Sequence, residues 1–432
     1  MNITIVGTGY VGLVSGVCFS DMGHNVKCLD INPGVIKTLK KGEMPYYEPG
    51  IAKLIQKNIK KNKLKFTTSY KQAVKDTNIF FICVGTPENK DGSSNLAFVF
   101  DVAKQLSENI TKNSIVITKS TVPVGTHKQI EKIIRKFKKS NIDISVASNP
   151  EFLREGNALI DFQKPDRIIV GVDKDQDKKV FNEIYRAQKN KLIFMSRDAS
   201  ELTKYAANSF LATKISFINE LSLLSDHLGI DINDIKAGIG SDPRIGDKFL
   251  NAGLGFGGSC FPKDISSLIN SFKTNKIESN ILSGVVKANV NQRKHFLKKI
   301  LGPHSKKELL SKSFYVWGLS FKPDTDDIRE SISIKLIKDL SSRVKHIYAY
   351  DPIANANAAN ELKDISNITI TETKYSEMDK CDGLIVCTEW NEFKNPNIKE
   401  LNKMRTKVVF DGRNSINKVK LAKNNIKYIS IC

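Results

Sequence analysis

The sequence predicts an α/β fold in which two Rossmann-like, doubly wound domains are joined by a long central helix. Three features lead to this prediction. A buried strand runs into a glycine fingerprint near the amino terminus, short apolar strands then alternate with helical segments, and a second set of such strands begins near residue 312. A helical pattern with few breakers, from about 199 to 228, lies between the two sets. We expect domains over residues 1–198, 199–305 and 306–432.

The first element is a strand that leads directly into the pattern Gly7-x-Gly9-x-x-Gly12. A helical segment and a second strand, Val26 to Leu29, follow, and that strand ends in Asp30, 18 residues past the last glycine. This order is typical of a dinucleotide site, in which the first glycine makes the turn, the second admits the pyrophosphate and the third lets helix and strand pack. An acid that accepts from the ribose hydroxyls would repel a 2′-phosphate, so the sequence favours NAD over NADP. A glycine-rich turn without a ligand is the alternative.

Polar turns follow the next three predicted strands. The strands are Ile79 to Val84, Ile115 to Thr118 and Ile144 to Ala147, and the turns are Gly85 to Pro87, Lys119 to Gly125 and Asn149 to Glu155. Open α/β sheets bind ligands at the carboxyl ends of their strands. Three such turns beside a dinucleotide fingerprint therefore predict a cleft.

The central helix presents two distinct sets of residues. Polar side chains share one face by three-and-four spacing: Glu201, Lys204, Tyr205 and Asn208. An apolar stripe continues along the helix through Leu211, Ile215, Ile218, Leu221 and Leu224. This stripe indicates core packing or a dimer contact. Taken alone, Lys204 would be assigned to the surface.

A glycine-rich loop, Gly253 to Gly258, leads to a single cysteine, Cys260. Pro262 suits the first turn of a helix, so Cys260 is expected near a helix N-terminus. The positive end of a helix favours thiolate over thiol, and Lys263 adds a local cation. These features indicate an activated nucleophile, whereas the alternative is a tight turn with a buried cysteine.

The second α/β set has strands near Phe314 to Trp317, His346 to Tyr350, Gly383 to Cys387 and Val408 to Phe410. It lacks a GxGxxG pattern, so a second NAD is not expected there. A nucleotide held against its strand ends remains compatible with this arrangement.

Composition limits the class of protein. The chain has 432 residues, of which 40% are hydrophobic and 26% charged, as in soluble globular enzymes of two or three domains. No apolar run reaches the roughly 18 residues of a membrane span, and no leader pattern precedes the first strand, so we expect a cytoplasmic protein without a membrane partner. The six histidines have no metal-binding spacing, and we expect no metal. The seven cysteines are scattered and predict no disulfide framework: Cys18, Cys28, Cys83, Cys260, Cys381, Cys387 and Cys432.

The net charge of +21 is compatible with nucleic-acid binding. The lysines are spread along the chain, however, and no nucleic-acid-binding motif accompanies them. We therefore expect a basic, solvated surface that attracts anionic nucleotides, and no nucleic-acid partner.

The combination of an NAD site and a loop cysteine points to a particular chemistry. A simple alcohol dehydrogenase needs no cysteine, but an enzyme that oxidises an aldehyde to an acid uses a thiolate to form a thiohemiacetal and then a thioester. Developing oxyanions call for donors such as Lys204 and Asn208. Hydrolysis calls for a water held by carboxylates such as Glu155 or Asp264.

The chain resembles the UDP-glucose/GDP-mannose dehydrogenase family over essentially its whole length. The motifs that carry the resemblance are Gly7 to Gly12, Val84 to Pro87, Ser120 to Gly125, Asn149 to Glu155, Gly255 to Asp264 and Phe321 to Ser331. The run GFGGSCFPKD is the most specific of them and is closest to the UDP-glucose branch. The GDP-mannose branch is the next closest, and the UDP-N-acetylhexosamine branch is more distant.

The resemblance implies that UDP-glucose is oxidised to UDP-glucuronate by two NAD molecules in succession, with Cys260 as nucleophile. It implies that Lys204 and Asn208 stabilise oxyanions while Asp264, Thr121 and Glu155 assist water and proton transfer. The implied NAD contacts are Gly7, Gly9, Val11, Gly12, Asp30, Thr86, Thr121, Glu155, Lys263 and Arg329. The implied contacts with the UDP-sugar are Glu151, Phe152, Leu153, Arg154, Lys204, Asn208, Arg244, Phe249, Leu250, Asn251, Gly253, Gly257 and Lys322.

The resemblance also implies an NAD-binding domain over 1–198, a central dimerisation domain carrying the cysteine loop over 199–305, and a UDP-sugar-binding domain over 306–432. Arg244 would reach the substrate of the other subunit in a homodimer. One position departs from the family pattern, because Val35 stands where a basic residue often follows the ribose-binding acid, and Lys37 is the nearest alternative. A non-catalytic NAD-binding protein is the remaining alternative, against which the intact set of Cys260, Lys204 and Asp264 argues.

Overall fold

The computed structural model describes residues 1–139, 141–302 and 304–431. They form two compact units, one of Met1–Ala207 with Ser266–Ile277 and the other of Asn208–Ile265 with Glu278–Cys432. The helix α9 (Arg197–Leu228) links the two units, as the sequence predicts. Cys432 lies outside the described residues. None of the described helices combines the length and apolar character that crossing a lipid bilayer requires.

The first unit contains a sheet covered by helices. Its strands are β1 (Asn2–Val6), β2 (Asn25–Leu29), β3 (Leu64–Thr67), β4 (Ile79–Ile82), β5 (Ser114–Thr118), β6 (Ile144–Ser148), β7 (Ile168–Gly171) and β8 (Leu192–Met195). The helices before α9 are α1 (Tyr10–Asp21), α2 (Pro33–Lys40), α3 (Ile51–Lys60), α4 (Tyr70–Val74), α5 (Ala97–Asn109), α6 (Thr126–Phe137), α7 (Ala158–Gln163) and α8 (Asp175–Ile184).

The strands of this sheet follow the order β3-β2-β1-β4-β5-β6-β7-β8. Neighbouring strands are parallel except for β6 and β7, which meet antiparallel at Ser148 and Gly171. The order reverses between β1 and β4, so this is the point at which a doubly wound sheet binds its ligand.

Burial on both faces explains why the central strands are apolar throughout. In β4, Ile79 and Phe81 belong to one core cluster, while Phe80 and Ile82 belong to another. Successive side chains of a strand point to opposite faces, so each face of the sheet has its own core.

The second unit repeats this architecture with six strands among its described residues. They are β9 (Ser313–Trp317), β10 (His346–Tyr350), β11 (Ile368–Ile370), β12 (Gly383–Val386), β13 (Val408–Asp411) and β14 (Lys427–Ser430). All neighbours are parallel, in the order β11-β10-β9-β12-β13-β14. The remaining helices are α10 (Ile232–Gly240), α11 (Phe261–Thr274), α12 (Asn280–Leu301), α13 (Lys306–Leu309), α14 (Ile332–Ser341), α15 (Asn355–Leu362), α16 (Ile398–Leu401) and α17 (Lys418–Ala422).

The first turns of the two sheets match in detail. Gly7 has φ +96° and donates its N–H to Leu29 O at 2.8 Å, while Gly318 has φ +90° and donates to Tyr350 O at 2.8 Å. Both positions require backbone dihedrals that glycine adopts without strain. An aspartate, Asp351, follows β10 as Asp30 follows β2.

Asp351 has a structural role that Asp30 does not share. It is fully buried, and its two oxygens accept bonds from the backbone N–H groups of Leu319, Ser320, Ile353 and Ala354, from Ser320 Oγ and from Trp390 Nε1. A carboxylate that already accepts six hydrogen bonds has no capacity left for a ribose hydroxyl.

We predict that Asp351→Asn destabilises the protein by about 2–4 kcal/mol, because an amide nitrogen would replace an oxygen that accepts several buried donors. Thermal unfolding followed by circular dichroism would measure the effect. Asp364→Asn, at an exposed position, is the control, and equal melting temperatures for the two variants would contradict the prediction.

Candidate active site

The structure gives a different reason for glycine at each of the three fingerprint positions. A Cβ on Gly7 would lie 2.7 Å from Cys83 O, and one on Gly12 would lie 1.9 Å from Gly7 O. A Cβ on Gly9 would meet nothing within 4 Å. The fold therefore requires Gly7 and Gly12, whereas the space beside Gly9 is open to a ligand, as expected of the glycine that a pyrophosphate approaches.

The start of α1 suits an anion. Gly9 is its N-cap and supplies no side-chain acceptor, and its first turn, which contains Val11, has no acidic residue. The N–H groups and partial positive charge of a helix N-terminus bind phosphate. These features fit the NAD pyrophosphate.

Asp30 is held beside this turn. Its Oδ2 accepts from the N–H and the hydroxyl of Thr8, both at 2.8 Å, and its Oδ1 accepts from Asn32 N at 2.9 Å. The carboxylate is only partly buried, so it is oriented and accessible, as a ribose-binding acid must be. Val35 packs against the core from α2, while Lys37 on the same helix is exposed.

Hydrogen bonds join the turns that follow β4 and β5 at the same edge of the sheet. Thr86 Oγ1 donates to Thr121 O at 2.9 Å, and Ser120 Oγ donates to Val84 O at 2.6 Å. Both predicted threonines therefore lie at the carboxyl ends of adjacent parallel strands.

Lys204 and Glu151 form a buried ion pair in the first unit. Lys204 is 3% exposed, and its Nζ lies 3.0 Å from Glu151 Oε1. Glu151 Oε2 accepts from Leu153 N at 2.5 Å, and Lys204 Nζ lies 5.2 Å from the ring centroid of Phe152. The interpretation of Lys204 as a surface lysine is wrong. The hydrogen bond to Glu151 holds the Lys204 ammonium in a fixed orientation.

Two buried charged residues near this site were not predicted. Lys119 directly follows β5 and is 4% exposed, with its Nζ 3.3 Å from Asn149 Oδ1, and burial lowers the pKa of its ammonium. Glu48 accepts from Gly156 N and Ala158 N at 2.7 and 2.8 Å and fixes the loop that carries Glu155. Neither residue belongs to a sequence motif that predicts burial. Each is buried only because the fold brings distant segments together.

In the second unit, Cys260 immediately precedes α11 and is exposed. The interpretation of a tight turn with a buried cysteine is wrong. The N–H of Asp264 donates to Cys260 O at 2.9 Å, which places the thiol at the helix N-terminus. By contrast, burial raises the pKa values of Cys83 and Cys387 to about 12, so those thiols are poor nucleophiles.

Asp264 connects two other predicted residues. It is 1% exposed, and its Oδ2 accepts from Asn208 Nδ2 at 2.6 Å while its Oδ1 accepts from Lys263 Nζ at 2.5 Å. The Asp264 carboxylate, which lies one helical turn after Cys260, therefore orients the Asn208 amide.

The glycine loop is packed within the second unit. A Cβ on Gly257 would lie 2.3 Å from Glu330 O, and one on Gly255 would lie 2.5 Å from Asn289 Oδ1. Gly258 N donates to Arg329 O at 3.0 Å. Internal packing thus supplies a reason for these glycines besides any approach to a ligand.

Each predicted arginine contact is held by a nearby aspartate. Arg154 pairs with Asp161, Arg244 with Asp242 and Arg329 with Asp327, each with a closest contact of 2.6 Å. All three guanidinium groups are exposed, and exposed pairs contribute little, so a phosphate could replace the carboxylate at low cost.

The other predicted substrate contacts lie in the second unit. Leu250 and Gly253 are buried, and Phe249 has φ +63°. The side-chain oxygen of Asn251 accepts from Lys236 Nζ at 2.6 Å. Lys322 Nζ lies 5.5 Å from the centroid of the Phe321 ring.

Comparison with known proteins identifies related chains over the full length. Residues 1–189 match the NAD binding domain of the UDP-glucose/GDP-mannose dehydrogenase family, residues 198–291 its central domain and residues 315–418 its UDP binding domain.

Among curated relatives, a UDP-glucose 6-dehydrogenase of Rhizobium meliloti is 41% identical, with 100% of this chain and 99% of the relative covered. One of Pseudomonas aeruginosa is 39% identical, with 100% and 97% covered. A solved UDP-glucose dehydrogenase from Pyrobaculum islandicum is 35% identical with a TM-score of 0.92, over 100% of this chain and 97% of that one. The chain belongs to the UDP-glucose/GDP-mannose dehydrogenase family.

Proposed function

We propose that this protein oxidises UDP-glucose to UDP-glucuronate in two successive NAD-dependent steps. The observation that carries the proposal is an exposed cysteine at a helix N-terminus, with a buried carboxylate one turn later, in a chain that also has a dinucleotide fingerprint. The relatives of about 40% identity that bear the name UDP-glucose 6-dehydrogenase support the choice of substrate.

Bound NAD supplies the acceptor for the hydride that leaves carbon 6 in each oxidation. It would be held by the open face at Gly9, the N-terminus of α1 and the oriented carboxylate of Asp30. Thr86, Thr121, Glu155, Lys263 and Arg329 would complete the cofactor contacts.

Cys260 retains the aldehyde between the two oxidations. Its sulfur adds to the carbonyl carbon, and the carbonyl oxygen becomes an oxyanion. Lys204 would stabilise that charge as a buried ammonium, and Asn208 would use the second N–H of an amide whose first N–H is held by Asp264. Because the thiolate remains attached to the substrate, no free aldehyde is released.

The second oxidation leaves a thioester, which water must hydrolyse to a carboxylate and a free thiol. Glu155 or Asp264 would take a proton from the attacking water, and Thr121 would assist the transfer. The balanced reaction consumes one water and two NAD for each UDP-glucose.

Residues 1–198 would bind NAD, 199–305 would carry the cysteine and the dimer contact, and 306–432 would hold the UDP group. The matches to an NAD binding, a central and a UDP binding domain support this division. Glu151, Phe152, Leu153 and Arg154 would contact the sugar nucleotide from the first unit. Its contacts from the second unit would be Phe249, Leu250, Asn251, Gly253, Gly257 and Lys322.

We place the reaction in the cytoplasm, where thiols stay reduced. The six cysteines of the described residues are free, in keeping with a reducing compartment.

The protein is proposed to act as a homodimer. The residues of the predicted apolar stripe on α9 differ in their burial. Ile218 lies in the core, whereas Leu224 is 55% exposed. Phe210 and Phe217 are also exposed, and the three exposed residues recur every seven positions, which gives one continuous apolar face. A second copy would bury it, since isologous pairing joins identical surfaces. Arg244 would then contact the substrate of the partner.

The first test is NADH production against a panel of nucleotide sugars. We expect two NADH per UDP-glucose, and a loss of turnover by roughly a thousandfold or more in Cys260→Ser, since the nucleophile is removed. Cys381→Ala, which alters a buried cysteine of the second unit, should keep the stoichiometry. Turnover of GDP-mannose or a UDP-N-acetylhexosamine without UDP-glucose would contradict the substrate, and NAD binding without any turnover would indicate a non-catalytic protein.

The fingerprint glycines provide a matched pair of variants. Gly9→Ala should unfold at the wild-type temperature but bind NAD at least about tenfold more weakly, because its methyl group fills the open space at the pyrophosphate. Gly12→Ala should instead lose stability by about 1–3 kcal/mol or more, since its methyl group would overlap Gly7 O. Calorimetric titration and thermal unfolding measure the two effects. Wild-type NAD affinity in Gly9→Ala would refute this assignment.

Substitution of Phe217 tests the dimer. Phe217→Asp should weaken self-association by at least about thirtyfold, because a buried phenylalanine contributes about 2 kcal/mol and a charge is costly there. Analytical ultracentrifugation gives the dissociation constant. Ile193→Asp, at an exposed position in β8, should leave association unchanged, and a wild-type dimer in Phe217→Asp would exclude this interface.

Co-expression tests the role of Arg244 in the same assembly. Inactive Cys260→Ser and Arg244→Ala chains should together recover about a quarter of the wild-type activity, because a mixed dimer contains one complete site. No recovery in mixed dimers would show that Arg244 does not act across the interface.

A further inference from the structure

Glu201 is a buried acid that lies near the candidate site and has no role in the chemistry above. It is 2% exposed and belongs to α9. Its Oε2 accepts from Gly125 N at 2.7 Å and from His127 Nδ1 at 3.0 Å, and its Oε1 accepts from His127 N at 2.9 Å.

The start of α6 explains why a distant acid is needed. Its N-cap is Gly125, which has φ +88° and no side chain to accept from the first amides. Buried helix N-termini need acceptors, and they favour a negative charge. Glu201 supplies both from another helix, 76 residues away along the chain.

The loop that precedes α6 is therefore held at both ends. At its start, Ser120 Oγ donates to Val84 O and Thr121 O accepts from Thr86 Oγ1. At its end, Gly125 and His127 donate to Glu201. The carbonyl of Thr121 belongs to the first attachment, and the loop runs from there to the second attachment at Gly125.

The same helix carries Lys204, three residues after Glu201. The Nζ of Lys204 is bonded to Glu151 Oε1. A single rigid element thus bears both the attachment of the Thr121 loop and the ammonium of the buried ion pair.

We propose that Glu201 is a positioning residue that fixes the 119–125 loop, and with it Thr121, relative to Lys204. This inference rests on the proposed function, since it assigns both residues to the same reaction. Without the carboxylate, the loop would keep its attachment to Thr86 but lose its attachment to α9.

A metal ion is the other possible occupant of this cluster. One ligand atom each from His127, Asp198 and Glu201 lies within 4.8 Å of the others. However, the two oxygens of Glu201 already accept three N–H bonds, and Lys128 Nζ lies 3.0 Å from Asp198 Oδ2. Both features oppose a cation, so we assign the cluster to hydrogen bonding.

The test compares Glu201→Gln with wild type. Replacing one oxygen by an NH2 group leaves a backbone N–H without an acceptor, and we expect kcat to fall by ten- to about a hundredfold through misplacement of Thr121. NADH binding, followed by fluorescence, should weaken by a smaller factor, because Thr121 is only one of several proposed cofactor contacts and the fingerprint is untouched. Glu201→Asp keeps the charge but is one methylene shorter, and it replaces Glu201→Gln if that variant does not fold.

Two control variants separate positioning from stability. Ile134→Ala removes buried packing within α6, far from the loop, and should lower the melting temperature while preserving kcat at 25 °C. Glu183→Gln makes the same chemical change at an exposed helical position. It should change neither the melting temperature nor kcat.

The outcomes distinguish this inference from the proposed function. No NADH from wild type and UDP-glucose refutes the proposed function itself. An active wild type together with full kcat in the folded Glu201 variant overturns the inference, as does an equal loss of kcat in Ile134→Ala. A stoichiometric metal, detected by mass spectrometry in the wild type and absent from Glu201→Gln, would also overturn it.

Discussion

The structure depends on buried carboxylates that accept hydrogen bonds from the N–H groups of turns and helix starts. Glu48, Glu201, Asp351 and Asp411 all do this, each from a buried position and each with at least two backbone donors. Turns at the end of a buried sheet cannot satisfy these groups with water, so an acid must supply the acceptor. Two of these acids, Glu48 and Glu201, hold the loops that carry Glu155 and Thr121.

The same principle explains why two similar halves have different expected roles. Asp30 and Asp351 follow equivalent strands, but the Asp30 carboxylate accepts from three donors and is partly exposed, while the Asp351 carboxylate is buried and accepts from six. An acid that is saturated internally stabilises its own turn and has no lone pair left for a ribose. The two units share the outline of their fold, whereas the capacity to bind a dinucleotide depends on which donors reach one carboxylate.

Much of the fold follows from local sequence patterns, because glycine spacing and alternating apolar strands have few structural solutions. The fingerprint at Gly7 to Gly12, the helix through Lys204 and the helix beginning after Cys260 all follow from residue spacing. The antiparallel pairing of β6 with β7 does not follow from residue spacing, since buried parallel and buried antiparallel strands are equally apolar. Glu201 and Lys119 were likewise not assigned roles, because long-range contacts, and not neighbouring residues, make them important.

The proposed mechanism requires that the substrate becomes covalently attached to Cys260 between oxidation and hydrolysis. Intact-protein mass spectrometry of Glu155→Gln, mixed with UDP-glucose and NAD, tests it most directly, because slower hydrolysis should let the thioester accumulate. We expect an added mass equal to a UDP-glucuronyl group, which peptide mapping should place on Cys260. An adduct on another residue, or production of UDP-glucuronate by a Cys260→Ala protein at the wild-type rate, would contradict it.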